Sequence, residues 1–101
     1  MERDISPRAA EGLGAPIVDV REPYELVEDG RVAGAVNIPL GELSARAEEV
    51  PRDQPVLILC RSGARSGMAA DALRASGYDA YNIDGGILAW ERDGLPVVRD
   101  S

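Results

Sequence analysis

Val56-Leu57-Ile58-Leu59-Cys60-Arg61-Ser62-Gly63-Ala64-Arg65-Ser66 carries three structural signals in succession. Four consecutive apolar residues, two of them β-branched, follow Pro55 and read as a strand. An unbroken apolar run of this length suits a central parallel strand covered on both faces. A helical pattern begins directly behind it, with Met68, Ala69, Ala72 and Leu73 on one face and Gly77 placed to cap its end. Between strand and helix lies a short loop of small residues and two arginines. In open parallel α/β sheets, such a loop, beyond the carboxyl end of a strand, is where ligands bind.

On either side of this run, short apolar segments alternate with helical ones, which predicts a mainly parallel α/β sheet. Residues 17–20 read as a strand entered from Gly14, Ala15 and Pro16, and Ile5 closes a small edge strand. Ser6-Pro7 has the form of a helix N-cap and first turn, predicting a short helix over 7–11. A second short helix is expected over 23–27, ended by Asp29-Gly30, and a short strand over 35–38, stopped by Pro39. Leu40, Leu43, Ala47 and Val50 recur at helical spacing, with Glu42, Arg46 and Glu49 facing water. Residues 81–83 make a last strand, Gly85-Gly86 a tight turn, and 87–93 a closing helix that carries Trp90. No linker, repeat or low-complexity tract divides the 101 residues, so one domain over 1–101 is expected.

What the composition lacks narrows the chemistry. There is no His, Lys, Thr or Phe, and Cys60 is the one cysteine. Without His there is no Ser-His or Cys-His pair and no imidazole ligand; without Lys there is no Schiff base. One Cys makes neither an internal disulfide nor a multi-thiolate metal site. Eighteen acidic against 11 basic residues leave a net charge of -7, which disfavours nucleic acid and anionic membrane as partners. The charged start Met1-Glu2-Arg3-Asp4 has no signal-peptide character and no apolar run is long enough to span a bilayer, so a cytoplasmic monomer is expected.

The loop offers a route to a nucleophile without His. Cys60 sits just before a helix N-terminus, where unpaired N–H groups and the helix dipole favour an anion. A chain curling round the sulfur points further N–H groups inward as a nest, and Gly63 permits the positive φ this demands. Arg61 and Arg65 add permanent positive charge. All of these favour thiolate over thiol. The plainer alternative is a Cys that serves as a small buried hydrophobe.

Four segments, in order, resemble the single-domain rhodaneses. Val18-Asp19-Val20-Arg21-Glu22 resembles that family's first signature, and Gly30 through Pro39 its second. Leu59 through Ser66 resembles its active-site loop, and Gly85-Gly86 through Trp90 to Gly94-Leu95-Pro96 its closing motif. The resemblance runs over nearly the whole chain and implies a three-layer fold, a small mainly parallel sheet flanked by helices on both faces. It also implies an activity: a sulfane sulfur passes from a donor such as thiosulfate onto Cys60 as a persulfide, then to cyanide, a thiol or a protein acceptor. Arg61, Ser62, Gly63, Ala64 and Arg65 would cradle that sulfur, with Asp19, Arg21 and Ser66 as supporting positions and no cofactor or metal. Because the chain has no second Cys, the acceptor must be external. The family's second motif usually carries His and Pro where this chain has Arg31 and Ala33. For Asp19 and Arg21 a structural ion pair or turn contact is as good a reading as a direct role, and Trp90 with the Gly pair reads as packing.

Two other functions compete. Cell-cycle phosphatases related in fold also place Cys at a strand end and Arg at a loop end, but with one more residue between them. Here Arg61, Ser62, Gly63 and Ala64 separate Cys60 from Arg65, a smaller cradle suited to a single sulfur atom. Some rhodanese-like domains have lost the Cys and act as binding or regulatory modules; retention of Cys60 speaks against that.

Overall fold

The structure, a computed structural model, describes residues 3–99. Among them, five strands form a single sheet in the order β1-β5-β4-β2-β3, with every pairing parallel: β1 Asp4–Ile5, β2 Ile17–Asp19, β3 Val36–Asn37, β4 Val56–Leu59 and β5 Ala80–Ile83. Four α-helices connect them: α1 Pro7–Leu13, α2 Pro23–Asp29, α3 Ala64–Ala75 and α4 Gly86–Arg92. None of the described helices is long and apolar enough to cross a membrane.

The unbroken apolar run is the middle of the sheet. Val56, Leu57, Ile58 and Leu59 have no solvent exposure, and burying each such side chain stabilises the fold by about 1.5–3 kcal/mol. Alternation along β4 splits them between two cores. Val56, Ile58 and Cys60 pack with Ala69, Ala70 and Leu73 of α3, whereas Leu57 and Leu59 pack with Ala10 of α1 and Ile87 and Trp90 of α4. The period-2 rule thereby sets Cys60 on the α3 face. Register pairs Ile58 with Asn82 of β5, so Asn82 shares that face beside the strand end.

The order of the strands creates the cleft. From β2 the chain runs to β3 on one side, and from β4 to β5 on the other. The adjacent carboxyl ends of β2 and β4 are therefore a topological switch point, where connecting loops part and leave a crevice. Cys60 follows β4, and Val20 and Arg21 follow β2.

Most expected elements are present with shifted ends. The edge strand at Ile5 pairs with β5. Gly77 closes α3 as expected: at φ +95° its N–H donates to Arg74 O while the Tyr78 N–H donates to Leu73 O. Trp90 packs α4 onto the sheet, its indole N–H on Pro96 O at 2.8 Å.

Two expectations fail. The helical spacing over 40–50 does not produce an α-helix. It forms two 3-10 turns, Leu40–Glu42 and Ala47–Glu49, although Leu43 and Val50 are buried as the spacing requires. Gly41 and Ser44 weaken the α-helix there, while Arg46 bridges Glu42 and Glu49 and holds the turns together. In α3 the buried stripe is Ser66, Ala69, Ala70 and Leu73, not the face containing Met68 and Ala72, both of which are exposed. The stripe begins at a serine, so hydrophobicity alone misplaces it.

Candidate active site

The site grows from the trans peptide geometry of the loop. Carbonyls of Cys60 and Arg61 accept hydrogen bonds from the N–H groups of Ile87 (2.9 Å) and Leu88 (3.2 Å), at the start of α4. In a trans peptide the C=O and the following N–H point oppositely. Anchoring these carbonyls to α4 therefore turns the following N–H groups away from α4, and the Ser62 N–H reaches Cys60 Sγ. Gly63, at φ +105°, bends the chain back so that its own N–H lies 3.1 Å from Sγ. Gly86 makes the anchoring possible. At φ +62° it approaches so closely that a Cβ there would fall 2.4 Å from Arg61 O. Of the Gly pair, Gly86 is thus the residue that lies against the Cys60 loop.

Cys60 is 1% exposed. Burial pushes its thiol pKa up. Hydrogen bonds from the Ser66 hydroxyl and then from the N–H groups of Ser66, Gly63 and Ser62 oppose that, and the net result is a thiol below its ordinary value. Ser66, fully buried at the first turn of α3, lies with Oγ 3.2 Å from Sγ and 2.5 Å from Asn82 Oδ1. A position expected only to support the loop thus supplies its leading side-chain contact.

From the sequence, the two loop arginines, Arg61 and Arg65, are expected to add positive charge beside Cys60. Both are engaged by carboxylates. Arg65 makes a bidentate pair with Glu25 of α2, at 2.7 and 2.8 Å, although it remains within electrostatic reach of Cys60. Arg61 is half exposed, 3.7 Å from Asp29. The contacts made directly with the sulfur are dipoles, and neither guanidinium group hydrogen-bonds to it. Ala64 opens α3 and contributes backbone only.

Asp19 and Arg21 form a fully buried pair behind the crevice. Arg21 Nη2 donates to Asp19 Oδ2 at 2.7 Å and to Gly30 O at 2.9 Å. Asn37 adds bonds from its amide to the carbonyls of Asp19 and Arg21, both 2.8 Å. This is the structural ion pair and turn contact weighed from the sequence. It ties the end of β2 to the chain leaving α2. Arg31 pairs through its backbone with Val98 in an antiparallel bridge.

Sequence reasoning missed Glu25, Asn82 and Asp4. Glu25 is 8% exposed, and its carboxyl is held at about 2 by the Arg65 guanidinium against the cost of burial. Its Oε2 also accepts the Glu22 N–H at 2.8 Å, so the Glu22-Pro23-Tyr24-Glu25 spacing at a helix start was the available signal. Asn82 is a buried polar residue on an inward position of β5, and its Nδ2 donates to Asp4 Oδ1 at 3.0 Å.

Comparison with known proteins agrees with this geometry. Residues 6–93 match the family model described as Rhodanese-like domain. A protein named Sulfurtransferase from Allochromatium vinosum is 41% identical over 93% of this chain and 88% of that one. The uncharacterized protein YqhL of Bacillus subtilis is 46% identical over 75% of this chain but only 60% of its own length, so the same unit also occurs within longer chains. Among solved structures, a rhodanese-related protein from Thermoplasma volcanium superposes with a TM-score of 0.88 at 36% identity, covering 95% of this chain and 97% of that one. By its sheet, its cysteine loop and these matches, the chain belongs to the rhodanese-like domain family.

Proposed function

We propose that this protein is a sulfurtransferase that carries a sulfane sulfur on Cys60, taking it from thiosulfate or another persulfide donor and giving it to an external thiophilic acceptor. The observation that carries the reading is the convergence of Ser62, Gly63 and Ser66 donors on one buried sulfur whose thiol lies below its ordinary value. A sulfur held this way forms a thiolate more readily than a free cysteine and needs no general base to do so.

The thiolate attacks the outer sulfur of thiosulfate. A new S–S bond forms to Cys60, the old one breaks, and its electron pair leaves on sulfite. The same inward N–H groups then face the negative terminal sulfur of the persulfide. Arg61, half exposed at the approach, draws the donor anion despite the net charge of -7. Cyanide, a small thiol or a protein thiol next attacks the terminal sulfur and restores the Cys60 thiolate. That acceptor comes from outside, because the chain has no second cysteine to resolve the persulfide. A monomer in a reducing cytoplasm, away from nucleic acid and membrane, fits this chemistry. Phosphatase chemistry fits less well: the arginine that would clamp a phosphate is held in two hydrogen bonds by Glu25.

Incubation with thiosulfate is expected to add about 32 Da, one sulfur atom, to the wild-type protein by intact mass. The Cys60→Ser variant should show no adduct, and cyanide should strip it from the wild type. An adduct that persists in Cys60→Ser refutes the assignment. No adduct on the wild type with any sulfane donor points to a binding module instead.

A further inference from the structure

Ser66 has one hydroxyl proton and two neighbours that can accept it. Its Oγ is 3.2 Å from Cys60 Sγ and 2.5 Å from Asn82 Oδ1. A hydroxyl donates once, so only one of these contacts holds the proton at a time. The orientation of Asn82 is not free either. Its other amide atom, Nδ2, lies 3.0 Å from Asp4 Oδ1, and a carboxylate can only accept. The NH2 end therefore faces Asp4 and the carbonyl faces Ser66. The chain Asp4–Asn82–Ser66–Cys60 runs from an exposed edge strand, through a buried strand, to the catalytic sulfur.

We propose that Asp4 and Asn82 are positioning residues for Cys60, which fix the direction of the Ser66 proton and so decide whether Sγ is offered that hydrogen bond. While Cys60 is a thiol, the Ser66 O–H points to the Asn82 carbonyl and the S–H donates to Ser66 Oγ. When the thiolate forms, the Ser66 O–H turns to Sγ and the carbonyl loses its donor. The Asn82 carbonyl thus competes with the thiolate for one proton. Without Asp4, the Asn82 amide can turn over and present Nδ2 to Ser66 Oγ. Ser66 then accepts from Asn82 and its proton is free for Sγ.

The consequence for turnover rests on the sulfur-transfer reading. In the persulfide, Sγ is bonded to a second sulfur and carries no charge, so the Ser66 proton returns to Asn82. When an acceptor thiolate attacks the terminal sulfur, the S–S bond breaks and its electron pair stays on Sγ. The Ser66 proton turns to that sulfur as it leaves. No oxidant or reductant is consumed.

Other charges bear on the same sulfur and stay constant in the test. They are Arg65 with Glu25 and nearby Tyr24, the Asp19–Arg21 pair at the end of β2, and Arg61 with Asp29. Arg3, Asp71 and Arg74 line the recess that holds Asp4; Arg3 pairs with Asp79, and Arg74 with Asp71.

The test is the pH profile of iodoacetamide alkylation, which reads one thiol because Cys60 is the only cysteine. It needs no sulfur transfer, so its failure is separate from any failure of the function. Ser66→Ala should move the profile to higher pH and slow alkylation below the midpoint about threefold to tenfold. Asp4→Ala, a change at an exposed residue, should move it to lower pH and speed alkylation by a similar factor. Asp4→Asn can still accept from Asn82 and should fall between. Removing the Asp4 charge would itself favour a thiolate, so the double variant decides. If Asp4 acts through Ser66, Asp4→Ala shifts the profile clearly less in the Ser66→Ala background than in the wild type, leaving only the direct effect of the lost charge. An equal shift in both backgrounds, or no shift in either, overturns the proposal.

Discussion

Two kinds of polar contact meet at the carboxyl end of the sheet, and they do different work. Around Cys60 the contacts are neutral dipoles: three backbone N–H groups and one hydroxyl, converging on a single atom. Beside it, on the β2 and α2 side, they are ion pairs: Asp19 with Arg21, and Glu25 with Arg65. The dipoles are held by the fold and need no counter-charge, so under the proposed sulfur transfer they suit a sulfur that gains and loses charge in each cycle. The ion pairs offset each other's charge, although Arg21 Nη1 is buried without a hydrogen-bond partner, and they tie β2 to the chain leaving α2 and α2 to α3. The cationic residues Arg21 and Arg65 are thus bound to carboxylates, and the contacts made directly with the sulfur come from small neutral groups.

The sharpest way to break this division is to disturb the dipoles without touching a charge. Gly86→Ala places a Cβ 2.4 Å from Arg61 O at a φ of +62°, so the α4 start must move and the loop N–H groups lose their aim. Sulfur uptake should fall about a hundredfold, with about 1–3 kcal/mol lost in stability from backbone strain. Single-turnover uptake and denaturant melts measure the two effects. Near-normal uptake in a folded Gly86→Ala protein would show that the α4 anchor does not aim the loop.

The ion pairs should behave in the opposite way, with stability changing more than chemistry. Glu25→Gln leaves Arg65 without its carboxylate and should cost about 1–2 kcal/mol at neutral pH, with uptake within about threefold of wild type. The pH dependence follows from the sign of the shift. Glu25 has its carboxyl lowered from 4.5 to about 2, so its contribution is fully present above about pH 4.5 and is lost as pH falls towards 2. The variant should lose less stability than wild type across that window in acid titrations. An equal loss would remove Glu25–Arg65 from the stabilising wall.

The smallest expected change is at Arg61. Its side chain is half exposed and 3.7 Å from Asp29, so Arg61→Ala should alter stability by under about 0.5 kcal/mol. It should raise KM for thiosulfate several-fold, and added salt should shrink the difference. A KM independent of Arg61 would leave the approach of the donor to the loop alone.

What the sequence shows of this site is what lies contiguous in it. Strand, Cys60, glycine bend and helix start form one run, so the cradle is legible from local rules. The residues that missed detection arrive from afar. Glu25 is 40 positions from Arg65, and Asp4 is 78 from Asn82. Only the parallel register of the sheet brings them together. The same reason explains the misplaced stripe of α3: Ser66 is buried because Cys60 and Asn82 satisfy its hydroxyl, and neither contact is visible along the helix. Over 40–50 the burial pattern was legible and the backbone was not, since apolar spacing records which side faces the core and not which helix supplies it.

The central claim is that hydrogen bonds from Ser62, Gly63 and Ser66 lead in making Cys60 a thiolate fit to take up sulfur, and the rate of persulfide formation against pH tests it most directly. Mass-resolved uptake from thiosulfate, measured from about pH 5 to about pH 10, should have its midpoint below that of a free cysteine. A midpoint at or above about 8.5, the value of a free cysteine, would contradict the account.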